Sequence, residues 1–313
     1  MNNAVSFVLA YIKSKIDSKR YTPDTRPQKY AGKNKLSLQE GNDYIVKLLE
    51  SPEPCMIARY GSVELGITKW RMAQKMGLIR KFDDASMHCV TNNAGFFPKD
   101  QKMVSKFADL MIESSAQVDL LGVFYWRMEE YVIKHHTSQA TLVRARGLEP
   151  WYVDVPWTRV LKGKKVLVIH PFEDTIKKQY EKRELLFPET NLLPEIELKT
   201  LKAVQTIAGE KDERFENWFE ALEYMFQEAM KIDFDVAIIG CGAYGFPLAA
   251  KLKKAGKKAI HLGGATQYLF GIKSKRADIG NAIISGLYND AWVRPSDDEK
   301  PKNFQNIEGG CYW

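Results

Sequence analysis

The chain has 313 residues, of which 45% are hydrophobic and 27% charged, the balance of a globular protein with a sizeable core. Its net charge of +7 is spread along the sequence, which fits an anionic ligand or an anionic membrane surface at least as well as nucleic acid. No zinc-finger, helix-turn-helix or RNA-binding motif is present, so we expect no nucleic-acid partner. The four cysteines stand apart without metal-ligand spacing, and no secretory signal is recognisable. Together these features predict a cytoplasmic protein with buried free thiols.

The N-terminal segment predicts an amphipathic helix with a basic end. Its apolar residues recur at helical spacing, and basic residues follow them: Val5, Val8, Leu9, Ile12 and Ile16, then Lys13, Lys15, Lys19 and Arg20. Such a stripe usually docks on its own domain or on a second subunit, which would give a homo-dimer. The alternative is an interfacial helix, peripheral to the inner face of the cell membrane. Residues 21–34 predict a linker, so we divide the chain into a helix and linker at 1–35 and a single domain at 36–313.

Short apolar runs alternate with helical patterns in the rest of the chain. The runs at 55–58, 87–90, 118–125, 164–170, 234–239 and 258–262 predict strands. Helices are predicted at 39–50, 62–76, 98–114, 216–231 and 247–254, and residues 172–211 predict a polar, partly helical insert. This alternation favours a Rossmann-like α/β fold with a mainly parallel sheet and helices on both faces. Because ligands of such sheets bind at the carboxyl ends of the strands, the residues that follow each strand are candidate site residues.

The most specific motif is GxGxxG at residues 240–245, between a predicted strand and a predicted helix. Gly240 permits a tight turn, Gly242 lets the backbone approach a phosphate, and Gly245 lets helix and strand pack closely. The amides of Ala243 and Tyr244, at the start of the helix, would face the anion. An NAD-dependent oxidoreductase is disfavoured, because the next strand ends at His261 without the acid expected about 20 residues on. The phosphate of another ligand is favoured over a purely structural turn.

Polar residues also follow the first strand of the predicted sheet. Arg59 suits a phosphate clamp, and Glu64 suits a general base or a metal contact, with Gly61 and Ser62 between them. The alternative is an Arg59–Glu64 ion pair, or a Glu64 that only complements the dipole of its helix.

Further candidates follow other strands. Asn92 and Asn93 follow the run at 87–90 and suit sugar hydroxyls, although Asn-Asn before glycine is also ordinary turn chemistry. His170 ends the run at 164–170 and is either a functional or a satisfied structural histidine. The last strand is followed by a glycine pair and a polar and basic series, which suits a diphosphate or forms a solvated turn: Gly263, Gly264, Gln267, Lys273 and Arg276.

Several stretches resemble a family of bacterial surface-polysaccharide proteins with the GT-D fold of glycosyltransferases. They are IARYGSVELG, TNNAGFF, VIHPFEDTIKKQYEKRELLFP, DVAIIGCGAYGFPLAAKLKKAGKKAIHLGGATQYLFGIKSKR and EGGCYW, which extend from about residue 55 to residue 313. The resemblance implies transfer of a sugar from a nucleotide-sugar donor, UDP-linked in our prediction, to a glycan or lipid-linked acceptor. It implies that the glycine loop, residues 240–245, holds the donor diphosphate.

The family motif Asp-x-Glu matches Ser62-Val63-Glu64, so the Glu is kept and the Asp is replaced. Glu64 is therefore the implied base or metal contact, and His170 the second catalytic candidate. The serine speaks against a requirement for Mn²⁺ or Mg²⁺. It also leaves open an accessory protein that binds a nucleotide or glycan without catalysis.

Overall fold

The computed structural model describes residues 3–22, 24–190 and 192–313. The helices are α1 Asn3–Arg20, α2 Leu38–Glu50, α3 Ser62–Lys75, α4 Asp84–Asn92, α5 Gln101–Ser115, α6 Glu129–His136, α7 Glu173–Tyr180, α8 Arg183–Leu186, α9 Trp218–Met230, α10 Gly245–Lys254, α11 Thr266–Leu269, α12 Lys275–Gly280 and α13 Ala282–Gly286. The strands are β1 Lys29–Tyr30, β2 Lys33–Asn34, β3 Met56–Arg59, β4 Leu120–Val123, β5 Thr141–Arg144, β6 Lys165–His170, β7 Glu197–Lys202, β8 Val236–Ile239 and β9 Lys258–His261.

Seven of these strands form one sheet in the order β5-β4-β3-β9-β8-β6-β7, and every pairing in it is parallel. β1 and β2 form a separate antiparallel pair. The chain builds β3, β4 and β5 outward in one direction and then crosses to β6 and β7. It returns through β8 to β9, which fills the centre beside β3.

Side chains alternate between the two faces of the sheet, and each face has its own core. On β8, Ala237 and Ile239 belong to a core that includes Phe107 of α5 and Trp218 of α9. Val236 and Ile238 belong to the other core, which includes Ile45 of α2 and Ile176 of α7. Both faces of the central strands are buried because helices cover the sheet on both sides, as continuous apolar runs predict. The predicted α/β class with helices on both faces is therefore confirmed.

One predicted strand was wrong. Residues 87–90 lie in α4, where the side chain of Asp83 accepts a hydrogen bond from the amide of Ser86 (2.7 Å) and caps the helix. Met87 and Val90, three residues apart, point into the core, which is a helical spacing. Asn92 and Asn93 therefore end a helix and not a strand.

The polar insert contains a strand that the sequence did not reveal. β7 lies at the edge of the sheet beside β6, and most of its side chains are only partly buried, so it lacks an apolar run. The predicted linker at 21–34 contains the short β1–β2 pair, with Tyr30 in the core. The division of the chain at residue 35 stays a prediction.

Helix α1 is formed as predicted, but its apolar stripe does not dock on the domain. The helix contacts the core through Phe7, with Ala10 and Tyr11 partly buried beside it. The stripe residues lie on the other side, each between 42% and 57% exposed. Within the described part of the chain, no helix is both long enough and apolar enough to span a bilayer.

Candidate functional site

A cleft opens at the carboxyl edge of the sheet between β6 and β8. The chain leaves β6 toward β7 on one side, whereas it leaves β8 toward β9 on the other. Such a divergence of loops from neighbouring strands is where ligands of open parallel sheets bind. The cleft has an empty volume of about 640 Å³, which includes its open mouth. It brings together eight residues that the sequence singled out: Asn93, His170, Gly240, Gly242, Ala243, Tyr244, Gly264 and Gln267.

The glycine loop forms one wall of the cleft. The amide of Gly240 donates to the carbonyl of Ile169 (2.9 Å), which ties the loop to β6. Gly242 has a φ of +56°, a left-handed conformation that glycine adopts without strain. A 3₁₀ turn at Gly242–Tyr244 leads into α10. The amides of Gly242 and Ala243 find no acceptor among the described residues, so they are free to bind an anion, whereas the amide of Cys241 lies against the sulfur of its own side chain.

Two glycines of this loop are required by close contacts. A Cβ on Gly240 would lie 2.6 Å from Cδ2 of His170 and 2.7 Å from Oγ1 of Thr266. A Cβ on Gly245 would lie 2.3 Å from Nδ1 of His261. The loop therefore sits directly against the ends of β6 and β9, and no larger residue fits without displacing a ring.

His170 presents a hydrogen-bond donor to the cleft. Its ring is 3% exposed, and Nδ1 accepts a hydrogen bond from the amide of Phe172 (3.0 Å). Burial lowers the pKa of His170 to about 3, so the ring is neutral at physiological pH. Since Nδ1 is the acceptor, the proton resides on Nε2, which has no partner among the described residues. A neutral imidazole of this kind is a poor base and a good donor.

Aromatic residues complete the walls. The ring of Tyr244 stacks on Trp218 at 4.5 Å, and its hydroxyl lies 3.0 Å from Oγ1 of Thr206. Tyr312 and Trp313 close the far side of the cleft. There the side-chain nitrogen Nε2 of Gln267 donates to the backbone carbonyl of Tyr312 (3.2 Å).

Among the lining residues that sequence reasoning did not single out are Thr206, Tyr312 and Trp313. Thr206 belongs to the insert and carries no recognisable motif. The two aromatic residues belong to the stretch EGGCYW, whose aromatic ending was the available signal. The residues that line the cleft include no Asp, Glu, Lys or Arg.

Arg59 ends β3 and Glu64 lies in the first turn of α3, and neither residue lines the cleft. Arg59 donates to the carboxylate of Glu149 (2.7 Å) and lies over the ring of Phe124 (5.4 Å), so it does not pair with Glu64. A Cβ on Gly263 would lie 3.7 Å from its guanidinium. Because Gly264 lines the cleft, the Gly263–Gly264 pair is the wall that separates the cleft from Arg59.

The carboxyl of Glu64 folds back over the start of α3, where its oxygens lie against the Cα of Gly61. The residue is half-buried, and the desolvation of its carboxyl raises the pKa of Glu64. No ion-pair partner for it occurs in the described ranges. Ser62 is exposed at the first position of the helix.

The remaining candidates lie away from the cleft lining. Lys273 places its ammonium 5.4 Å from the centre of the Tyr288 ring. Arg276 lies over the Tyr312 ring (4.7 Å) and forms an ion pair with Glu308 (2.5 Å), so it holds the C-terminal segment rather than lining the cleft. Asn92 donates to the side-chain oxygen of Asn93 (2.7 Å) and orients it.

The donor set does not fit a metal held by the protein. The part of the chain that the structure describes contains no group of three or more His, Cys, Asp or Glu side chains that could hold a metal ion. Beside Glu64, the position of the expected second carboxylate is occupied by Ser62. Mg²⁺ and Mn²⁺ favour sites with several carboxylate oxygens, and at this position Glu64 is the single carboxylate.

Comparisons with known proteins give remote likenesses in structure only. No protein-family model and no curated protein matches the chain. One similar solved structure is described as "The highly conserved domain of unknown function 1792 has a distinct glycosyltransferase fold"; it is 12% identical, with 84% of this chain and 91% of that chain covered and a TM-score of 0.43. A selenomethionine-substituted structure of the same domain has the same identity and coverage and a TM-score of 0.42.

Proposed function

We propose that this chain is a glycosyltransferase that moves a sugar from a nucleotide-sugar donor, UDP-linked, to a glycan or lipid-linked acceptor of surface-polysaccharide synthesis. The observation that carries the proposal is the pair of free amides at Gly242 and Ala243, two residues that line a cleft at the switch point of the sheet. No carboxylate among the lining residues repels a diphosphate there. The resemblance of the surrounding sequence to GT-D proteins supplies the reaction class.

In this proposal the donor diphosphate binds to the glycine loop and to the Nε2–H of His170. Transfer breaks the bond between the anomeric carbon and the diphosphate oxygen and forms a bond from that carbon to an acceptor hydroxyl oxygen. The negative charge that develops on the leaving diphosphate is stabilised by fixed amides, which need no reorganisation during the step. His170 thus acts as a neutral donor to the leaving group and not as a base.

In this proposal the donor sugar extends past the Gly263–Gly264 pair toward the end of β3, and the acceptor hydroxyl loses its proton to Glu64 there. The raised pKa of this carboxyl brings it nearer to physiological pH, where a general base is most effective. Arg59 lies across the Gly263–Gly264 wall from the cleft and adds positive potential on that side. Arg276 contributes indirectly, since it holds Tyr312 of the cleft lining in place.

Glu64→Gln tests the assignment of the base. We expect the variant to lose on the order of 100-fold or more in transfer rate, while its fold and its UDP binding stay intact. The measurement is transfer from a panel of UDP-sugars to glycan and lipid-linked acceptors, with a thermal-shift titration of UDP beside it. Glu53→Gln, an exposed glutamate before β3, is the matched control. Near-normal transfer by Glu64→Gln would remove Glu64 from the mechanism.

A second function is an accessory protein that binds a nucleotide or glycan without catalysis. Two observations favour it, namely Ser62 in the place of an expected Asp and the lack of a carboxylate among the lining residues of the cleft. Tight nucleotide binding with no hydrolysis or transfer on any donor, with and without Mn²⁺, would decide for it. An NAD-dependent oxidoreductase is the least favoured function, and a copurifying nicotinamide would be needed to support it.

A further inference from the structure

Helix α1 presents an apolar face to solvent. This outer face of α1 consists of residues exposed by 49%, 42%, 52%, 50% and 57%: Val5, Val8, Leu9, Ile12 and Ile16. Single exposed apolar residues are common on protein surfaces, but five on one face of one helix form a contiguous patch. Such a patch indicates a binding surface.

The helix is held in place by its opposite side. Phe7 packs edge-on against Tyr131 (5.3 Å), and Tyr11 packs against Trp70 (5.8 Å). Lys13 adds an ion pair with Glu130 (2.5 Å). Because these contacts orient α1, the direction of its apolar face is fixed by the fold.

Basic residues border the outer face. Lys15, Lys19 and Arg20 are exposed beside it. The described part of α1 contains one acidic residue, Asp17, and it is already shared between Lys13 (3.1 Å) and Arg26 (3.8 Å). An apolar stripe flanked by lysine and arginine is the composition of helices that lie in the headgroup region of anionic membranes.

A pocket with an empty volume of about 820 Å³, which includes its open mouth, adjoins the C-terminal end of α1. This cationic pocket is lined by Ser18, Tyr21, Arg26, Lys69, Phe124, Tyr125, Trp126 and Arg127. Ser18 belongs to the last turn of α1, so the pocket lies at the end of the helix. Trp126 is 42% exposed at its mouth, and tryptophan is enriched at the level of lipid headgroups.

The cations of this pocket lack sufficient counter-charge in the protein. The side chain of Arg26 is 9% exposed, and its Nε is buried without a partner. Burial and the neighbouring Arg127 lower the pKa of Lys69. The nearby Glu129 is already engaged by the amides of residues 124–126, and Asp83 caps α4. A bound phosphate would supply the missing negative charge.

We propose that the outer face of α1 and the cationic pocket together bind an anionic phospholipid bilayer, with a lipid phosphate in the pocket. The apolar side chains enter the acyl boundary, while the lysines and arginines meet anionic headgroups. Phe124, which follows β4, lines the cationic pocket and contacts Arg59 at the end of β3. Membrane binding through α1 is independent of whether the cleft is catalytic.

A second copy of the chain is a poorer occupant of the same face. Pairing two α1 helices would bring their lysines and arginines together, and the one acid of the helix is already paired. An anionic bilayer satisfies both the apolar side chains and the cations, whereas a second copy satisfies only the former.

The test is flotation of the full chain with vesicles of phosphatidylcholine alone or mixed with phosphatidylglycerol. We expect binding to the mixed vesicles and at least about tenfold weaker partition for Leu9→Asp/Ile12→Asp. Ile279→Asp/Ile283→Asp is the matched control, because these residues are 79% and 46% exposed on another surface. Lys69→Gln and Arg127→Gln should each weaken binding to the mixed vesicles by about fivefold.

Quenching of tryptophan fluorescence by brominated lipids gives a second measurement. The wild-type chain should show this quenching, and the Trp126→Phe variant should show less of it. The proposal is overturned if the wild-type chain floats with neither vesicle, or if the α1 variant and its control bind equally well. It is also overturned if the α1 substitutions only convert a dimer into a monomer.

Discussion

The glycine loop allows one sharp test of the cleft, the substitution Gly240→Ala. The added Cβ would lie 2.6 Å from Cδ2 of His170 and 2.7 Å from both Cβ and Oγ1 of Thr266. Carbon atoms do not approach this closely, so the loop or the histidine ring must move. His170 is 3% exposed and Thr266 is fully buried, so neither can swing into solvent. Overpacking of this kind typically lowers the free energy of unfolding by about 1–3 kcal/mol.

The substitution should also weaken nucleotide binding, because the same movement displaces Nε2 of His170 and the free amides beside it. We expect UDP affinity to fall at least about tenfold, since charge-assisted hydrogen bonds contribute about 1.5–3 kcal/mol each. Urea denaturation gives the stability, and a thermal-shift titration gives the binding. Gly66→Ala in α3 is the control, because its Cβ meets no atom within 4 Å, and it should stabilise the helix by about 1 kcal/mol.

Two outcomes would refute this reasoning. An unchanged free energy of unfolding in Gly240→Ala would show that the close contact with His170 does not exist. A loss of stability with unchanged UDP affinity would show that the glycine loop is a structural turn and not a phosphate site.

Three further predictions concern other parts of the chain. Burial raises the pKa of Glu129 to about 7, above its unfolded value of 4.5. The free energy of unfolding should therefore fall by about 3 kcal/mol as the pH rises from below 4.5 to above 7. Urea denaturation at several pH values measures this dependence on pH, and Glu129→Gln should abolish it. Tyr60→Phe leaves two buried hydroxyls without their shared partner and should lower the free energy of unfolding by about 1–3 kcal/mol, whereas an unchanged value would contradict the hydrogen bonds seen there. Cys89 is exposed whereas the other three cysteines are buried, so a thiol reagent followed by peptide mass mapping should label Cys89 first and Cys241 only on unfolding.

The sheet was largely predictable because its central strands are buried on both faces. β6 and β8 read as continuous apolar runs, and both were found within two residues of their positions. The two edge strands, β5 and β7, were missed because an edge strand needs no such run. The run at 87–90 was misassigned because a four-residue run that is mostly apolar fits a strand and a helix equally well, and the capping Asp83 was the deciding signal.

The site was predictable where a loop directly follows a strand. Gly240, Gly242 and His170 satisfy this condition and meet in the cleft. Tyr312 and Trp313 reach the same cleft through tertiary packing, which no local pattern encodes. Lys273 and Arg276 have the right charge for a diphosphate, but their contacts with Tyr288 and Glu308 hold them elsewhere, and sequence proximity does not reveal such pairing.

The order of the strands has a consequence for how the protein is made. β3 pairs with β4 on one side and with β9 on the other, and β9 is roughly two hundred positions further along the chain. During synthesis on the ribosome, the first three sheet strands emerge long before the strand that joins them to the rest. Until β9 is synthesised, the unpaired hydrogen-bonding groups at the edge of β3 can pair with the wrong strand. We therefore expect chains that stop before β9 to aggregate, and the full-length protein to depend on chaperones while it is being translated.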